Sequence, residues 1–162
     1  MQDEKEIFCE LIKENEKDMY YLALSILRNE PDASDVIQDA ILKAYCNMES
    51  LRSRKHFKSW IMSIVHNTAI EYIRKHKDTV DIDDLDEPDC NEGTDTVTKM
   101  ALWDAVNKLR LPYRTIVILF YYQGMSVRQI SNIMKSSAPA VRKQLSRARE
   151  MLATLLDKED FV

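Results

Sequence analysis

The sequence contains few residues that interrupt helices. Among 162 residues, glycine occurs twice and proline four times. No run of alternating β-branched residues is present, which is the pattern expected for an exposed strand. Because glycine and proline are the residues that most often end or break a helix, their scarcity predicts an all-α fold.

Other absences exclude several classes of protein. No apolar run approaches the ~20 residues that a membrane-spanning helix needs, and the acidic start of the chain does not resemble a signal peptide. Cys9, Cys46 and Cys90 are scattered and lack CxxC spacing, and the three histidines are equally dispersed. We therefore expect a cytoplasmic protein without disulfides, metal or another cofactor.

The charge is distributed very unevenly. The formal net charge is −4, which by itself would disfavour a nucleic-acid partner. Residues 78–96, however, contain nine acidic residues and no basic one, whereas residues 97–162 contain 11 basic and five acidic ones. The ends of the chain are therefore able to approach DNA, while the middle repels it.

This distribution predicts two small helical domains joined by a flexible acidic linker. The first domain is expected to span residues 1–77, the linker 78–96, and the second domain 97–162. Like charges in the linker repel one another and extend it. Part of the linker, residues 81–86, superficially resembles a calcium-binding loop, but it lacks the glycine at the sixth position that such loops need.

The second domain contains a predicted helix-turn-helix between Ser126 and Leu152. Ser126 and Gln129 have the spacing of a capping box, and Ser137 and Pro139 suit the start of the next helix. Helical spacing places apolar residues on one face of that next helix and basic and polar residues on the other. The outward residues are Arg142, Lys143, Ser146, Arg147 and Arg149. The segment alone fits either a DNA-reading motif or an ordinary helical hairpin.

Three helices are predicted in the first domain, at about Asp3–Leu27, Ala33–Asn47 and Phe57–His76. The loop before the third helix and the helix itself are rich in basic residues interleaved with Trp60 and Tyr72. This composition suits single-stranded nucleic acid, where bases stack on aromatic rings and cations follow phosphates. Trp60 also suits the core, because it lies within the apolar stripe.

The order of these parts resembles the sigma-70 factors of bacterial RNA polymerase, and above all their extracytoplasmic-function group. Three stretches carry the resemblance, in the family's order: DASDVIQDAILKAY from Asp32, FKSWIMSIVHNTAIEYIR from Phe57, and the segment from Tyr113 to Arg149. They resemble, respectively, region 2.2, regions 2.3–2.4 and region 4 of the family. The resemblance implies a subunit that directs core polymerase to promoters and has no enzymatic activity.

The resemblance also implies roles for particular residues. Those expected to bind core polymerase are Asp35, Gln38, Asp39, Leu42 and Lys43. Those expected to recognise and open the −10 element are Arg52, Arg54, Lys55, Trp60, Asn67 and Arg74. The outward residues of the helix-turn-helix, Arg142, Lys143, Ser146, Arg147 and Arg149, are expected to contact the −35 element.

The implied partners are promoter DNA and core polymerase, contacted at the clamp of its largest subunit and at its flap. A membrane-anchored anti-sigma factor is a further expected partner. Lys135 departs from the family, which usually has a glycine before the turn of the helix-turn-helix. A left-handed lysine there would be strained by roughly 1 kcal/mol, which favours a rearranged turn.

Two other hypotheses compete with this interpretation. A conventional helix-turn-helix regulator that binds duplex operators would account for the second domain, but it leaves the basic aromatic helix of the first unexplained. An enzyme or metal-dependent module using the acidic segment lacks a nucleophile–base pair or a ligand set.

Overall fold

The computed structural model describes residues 3–76 and 97–160, with backbone alone at 97–100 and 158–160. The described residues form seven helices and no strand, which confirms the all-helical prediction. They fall into two compact units, one with three of these helices and the other with four. The predicted linker, residues 78–96, lies outside the described residues, as does its calcium-like motif.

The first unit is a bundle of three helices that all pack against one another. Helix α1 spans Glu4–Leu27, α2 spans Glu30–Cys46 and α3 spans Phe57–Lys75. Two single 3₁₀ turns, Met48–Ser50 and Arg54–His56, lie between α2 and α3. The core is built from apolar residues on all three helices, including Met19, Leu22, Ile26, Val36, Ala40, Ile61 and Val65.

Helix α2 begins three residues earlier than predicted, at Glu30 rather than Ala33. The side chain of Asn29 accepts a hydrogen bond of 2.9 Å from the backbone N–H of Asp32 and so caps the helix. Pro31 lies in the first turn, where its missing N–H leaves no bond unmade. The predicted start at Ala33 left Asn29–Asp32 outside the helix, whereas Asn29 is the N-cap and the next three residues are already helical.

The second unit contains four helices. Helix α4 spans Val97–Lys108, and α5 spans Tyr113–Val117 and continues as a π turn through Ile118–Tyr122. Helix α6 spans Val127–Met134 and α7 spans Ala138–Asp160. A core cluster from α4, α5 and α7 holds the unit together: Ala105, Val106, Leu109, Val117, Ile118, Ala148 and Leu152.

Arg114 stabilises the junction between α4 and α5, although its side chain is almost wholly buried. Its Nη1 donates a hydrogen bond of 2.8 Å to the backbone carbonyl of Leu109, just beyond the end of α4. A cation is favoured at that end, where unpaired carbonyl groups concentrate negative charge. Arg114 is not among the residues with a predicted role, because a buried arginine has no distinctive local pattern.

The turn between α6 and α7 retains the left-handed residue, so the prediction of a rearranged turn is wrong. Lys135 has φ 54° and ψ 46°. The N–H of Ser136 donates to the carbonyl of Ser131 at 2.9 Å, and the N–H of Lys135 donates to that of Asn132 at 3.4 Å. These are the two bonds of a Schellman motif, which ends a helix by placing one residue in the left-handed region. Lysine adopts the conformation despite its Cβ.

Glycine at position 135 is expected to stabilise this turn. Lys135→Gly removes the clash of a left-handed Cβ, while Lys135→Ala removes the same charge and retains the Cβ. The free energy of unfolding, measured by chemical denaturation, should be about 1 kcal/mol higher for the glycine variant than for the alanine variant. Equal stabilities, or a more stable alanine variant, would contradict the strain at this residue.

Tyr72 joins α3 to the start of α2. Its hydroxyl donates a hydrogen bond of 2.7 Å to Oδ1 of Asp32, and its ring stacks on His76 with centroids 4.1 Å apart. The bond to the Asp32 carboxylate, followed by burial, raises the pKa of Tyr72 from 10.0 to about 12. The folded state thus retains this proton more tightly than the unfolded state does.

The contribution of Tyr72 to stability is expected to depend on pH. Tyr72→Phe should lower the free energy of unfolding by about 0.5–1.5 kcal/mol at pH 8, because it removes the hydrogen bond. A raised pKa gives stability that is fully present below pH 10 and is lost as pH rises towards about 12. The difference in the free energy of unfolding between Tyr72→Phe and wild type should therefore become smaller in denaturation series above pH 10.

The control for this experiment is Tyr45→Phe, which removes a hydroxyl from an exposed tyrosine of the same unit. It should change the free energy of unfolding by less than about 0.5 kcal/mol. A Tyr72→Phe effect that stays constant from pH 8 to pH 11 would show that the bond to Asp32 is not its cause.

Candidate nucleic-acid and polymerase interfaces

Two sets of caps fix the helix-turn-helix of the second unit. The side chain of Ser126 accepts a hydrogen bond from the N–H of Gln129 at 3.1 Å, and Oε1 of Gln129 accepts one from the N–H of Ser126 at 3.0 Å. Oγ of Ser137 accepts one from the N–H of Ala140 at 3.2 Å. The predicted capping box and the second N-cap are both confirmed, and they determine where α6 and α7 begin.

The long helix α7 separates an apolar face from a basic one. Val141, Leu145, Ala148 and Leu152 are buried. The five outward residues expected from sequence, Arg142, Lys143, Ser146, Arg147 and Arg149, are all exposed. A helix with an exposed face of this composition suits the major groove, where cations meet phosphates and arginine bonds the edge of guanine.

Arg149 differs from the other four residues because other side chains hold its guanidinium. Its Nε donates a hydrogen bond of 2.5 Å to the hydroxyl of Tyr121. The guanidinium also lies 6.0 Å from the ring centroid of Phe120 and 5.8 Å from that of Tyr121. The side chain therefore joins α7 to the π turn at the end of α5.

Tyr121 is not among the residues predicted from the sequence to have a role. The π turn has a hydrogen bond from the N–H of Gln123 to the carbonyl of Ile118, so it holds one more residue than an α turn. Tyr121 and Tyr122 are exposed within it, with exposed fractions of 51% and 45%. Three successive aromatic residues from Phe120 were the only sequence signal, and an α-helical period does not predict their directions.

In the first unit, α3 presents a polar face away from the bundle core. Trp60, Asn67 and Arg74 are seven residues apart, so they lie along one side of the helix. Trp60 and Asn67 are half-buried and Arg74 is exposed. The 3₁₀ turn and loop before the helix expose Arg52, Arg54 and Lys55. All six residues expected at the −10 element thus have solvent-accessible side chains.

Trp60 lies at the edge of the core. Its ring packs against that of Phe57 with centroids 5.6 Å apart, and its Nε1 donates a hydrogen bond of 3.0 Å to Oγ of Ser50. Ser50 in turn donates to the carbonyl of Asn47 at 2.7 Å. The indole is therefore half-buried, and it connects α3 to the 3₁₀ turn that follows α2.

A third surface is formed by α2. Four of the residues expected to bind polymerase, Asp35, Gln38, Asp39 and Leu42, are exposed. Leu42 has an exposed fraction of 64%, the largest among the exposed large hydrophobic residues described. Lys43 is half-buried, and its Nζ lies 3.2 Å from Oε2 of Glu71 on α3 and 3.6 Å from Oδ2 of Asp39. A single exposed leucine is ordinary on a protein surface, so the role of these five residues in polymerase binding stays a prediction.

Within residues 3–76 and 97–160, no helix has both the length and the apolar character needed to cross a membrane.

Two protein families match separate parts of the chain. Residues 11–79 match the family Sigma-70 region 2, and residues 99–152 match the family Sigma-70, region 4. The RNA polymerase sigma factor SigV of Bacillus subtilis is 31% identical over 161 residues, covering 99% of this chain and 97% of SigV. The ECF RNA polymerase sigma factor SigW of B. subtilis is 27% identical over 167 residues, covering 92% of this chain and 88% of SigW.

Solved structures share the fold. The sigma factor RpoE of Bartonella quintana, in complex with the anti-sigma factor NepR, superposes with a TM-score of 0.78 at 23% identity, covering 93% of this chain and 96% of RpoE. CnrH in complex with the cytosolic domain of CnrY gives a TM-score of 0.69 at 22% identity, covering 95% and 90%. Together with the match to SigV over nearly the whole of both chains, these findings show that the chain belongs to the sigma-70 family of RNA polymerase sigma factors, in its extracytoplasmic-function group.

Proposed function

We propose that this sigma factor divides promoter recognition between its two units while it is bound to core RNA polymerase. Residues 1–77 would bind polymerase and capture the −10 element, residues 97–162 would contact the −35 element, and residues 78–96 would join them. The observation that carries this proposal is that each unit has one exposed basic surface, and that the two surfaces differ from each other in the types of residue that form them. The protein would act in the cytoplasm and would carry out no catalysis itself.

The second unit is suited to duplex DNA. Its basic surface lies on a capped helix that follows a tight turn, and this helix would enter the major groove at the −35 element. Arg142, Lys143, Ser146 and Arg147 would reach bases or phosphates, and Arg149 would contact the backbone from the edge of that surface. A groove-reading helix and phosphate contacts are sufficient here, because this part of the promoter stays paired.

The first unit is suited to unpaired DNA. Opening a promoter breaks stacking and pairing, and the separated bases must be held by rings, polar groups and cations. Along a single side of α3, Trp60 offers a ring, Asn67 a polar group and Arg74 a cation. Arg52, Arg54 and Lys55 add positive charge on the adjoining loop.

The exposed surface of α2 would bind the clamp of the largest polymerase subunit, and the second unit would contact the flap. Leu42 would enter an apolar site on the clamp, while Asp35, Gln38, Asp39 and Lys43 would make polar contacts around it. Buried apolar anchors surrounded by polar groups carry most of the binding energy in such interfaces. A conventional operator-binding regulator would leave this surface without a use.

We also propose that an anti-sigma factor covers one or more of these surfaces in the cell. Two proteins of the same fold, RpoE and CnrH, were solved with a bound partner, NepR in one and the cytosolic domain of CnrY in the other. A partner with a cytosolic domain supports a membrane-anchored inhibitor for this protein as well.

The decisive experiment is run-off transcription with purified core polymerase on genomic fragments, together with gel filtration of the mixture. We expect a 1:1 complex and transcripts from one class of promoter.

Leu42→Ala should weaken core binding about tenfold, since it removes an apolar anchor. Leu102→Ala, at an exposed leucine of the second unit, should change the affinity less than about twofold. Failure of the wild-type protein to bind core polymerase would contradict the proposed function.

Arg142→Ala tests the assignment of α7 to the −35 element. If Arg142 contacts a phosphate, the holoenzyme should bind all promoters more weakly. The slope of the logarithm of the binding constant against the logarithm of the salt concentration should then fall in magnitude by about one. If it contacts a base, discrimination at one position should relax by ~1–3 kcal/mol. The control is Arg110→Ala, which removes an exposed arginine between α4 and α5. An unchanged slope and unchanged discrimination in Arg142→Ala would mean that α7 docks differently.

A further inference from the structure

Glu71 is the only acidic residue between residues 52 and 77, a stretch that contains seven basic ones. It lies on α3, four residues after Asn67 and three before Arg74, both of which we assign to the −10 element. An isolated carboxylate here would repel a DNA strand. Its location therefore calls for an explanation in terms of its own contacts.

Both carboxylate oxygens of Glu71 are bonded to lysines. Oε1 lies 3.1 Å from Nζ of Lys75, one turn further along α3, and Oε2 accepts a hydrogen bond of 3.2 Å from Nζ of Lys43 on α2. The hydrogen bond from Lys75, followed by that from Lys43, holds the pKa of Glu71 below its usual value of 4.5. The carboxylate thus stays charged at neutral pH and is compensated on both sides.

The bond to Lys43 connects two different surfaces. Lys43 belongs to the surface of α2 that we assign to polymerase, and the same ammonium lies 3.6 Å from Asp39 on its own helix. A lysine has a flexible four-carbon side chain that samples many rotamers when it is unrestrained. Glu71 restricts it from the opposite helix, so the ammonium is held between two carboxylates.

We propose that Glu71 is a positioning residue for polymerase binding, which holds the ammonium of Lys43 in its binding orientation on α2 by an ionic hydrogen bond from α3. This inference rests on the proposed role of the α2 surface. Glu71 would act through Lys43 and would not touch polymerase itself.

The expected effect is on affinity and not on folding. The side chains of Lys43 and Glu71 are 40% and 46% exposed, and ion pairs of that exposure add little to stability because water screens them. Holding a side chain in its bound conformation, however, reduces the entropy that association costs. The bond is therefore expected to matter when polymerase binds, and to leave the melting temperature nearly unchanged.

A double-mutant cycle measures this coupling. The equilibrium dissociation constant for core polymerase is determined for wild type, Lys43→Met, Glu71→Gln and the double variant, each as the full chain. Glu71→Gln should weaken binding by roughly three- to tenfold. In the Lys43→Met background the same substitution should have no further effect, because the side chain that it positions is gone.

The matched control is Lys75→Met, which removes the other partner of Glu71 and retains the bond to Lys43. Its affinity for core polymerase should stay within about twofold of wild type. Melting temperatures of all variants serve as the second readout, since a general loss of structure would lower them together with the affinity.

Two results would overturn the inference. Additive effects of the two substitutions would show that Glu71 does not act through Lys43. An unchanged affinity in Glu71→Gln, with a change only in promoter opening, would assign Glu71 to the DNA-facing side. If wild-type protein binds core polymerase and Leu42→Ala weakens it while the cycle shows no coupling, this inference fails and the proposed function stands. If wild-type protein does not bind at all, the proposed function itself fails.

Discussion

The packing of α3 against both other helices of the first unit determines what that unit is able to contact. Burial of Ile61, Val65 and Ala69 uses one side of the helix, so the nucleic acid that we propose as a partner has only the opposite side to contact. The same packing brings Tyr72 to Asp32 and Glu71 to Lys43. The surface that we propose for DNA and the surface that we propose for polymerase are therefore two faces of one small core, and polar bonds connect them across the boundary between α2 and α3.

Sequence patterns predicted most of the fold because helix signals are local. The caps at Ser126 and Ser137 and the apolar face of α7 follow from residues within a few positions of one another, and the structure has them as predicted. The start of α2 was placed too late because Asn29 fits either a turn or an N-cap. The conformation of Lys135 was predicted wrongly because the intrinsic cost of a left-handed lysine is smaller than the benefit of the two hydrogen bonds that the Schellman motif makes.

Contacts between distant parts of the chain were beyond sequence reasoning. Tyr121 bonds Arg149 and Glu71 bonds Lys43, each 28 residues away in the chain, and no spacing rule connects these pairs. The bond between Glu71 and Lys75, by contrast, has the four-residue spacing of neighbours on one helix. The surfaces themselves were easier to predict, since a side chain on the polar face of an amphipathic helix is exposed in almost any packing. The roles of those surfaces came from the family resemblance, which assigned three motifs in a fixed order.

The π turn at the end of α5 has a consequence for comparing this chain with its relatives. A π turn arises when an α-helix accommodates one inserted residue, and the insertion rotates everything after it by roughly 100°. A relative with one residue fewer would keep a continuous helix here but would direct a different side chain towards α7. An alignment that ignores the turn would then pair Tyr121 with a residue facing elsewhere. A one-residue gap placed within 118–122 would keep the partner of Arg149 in register.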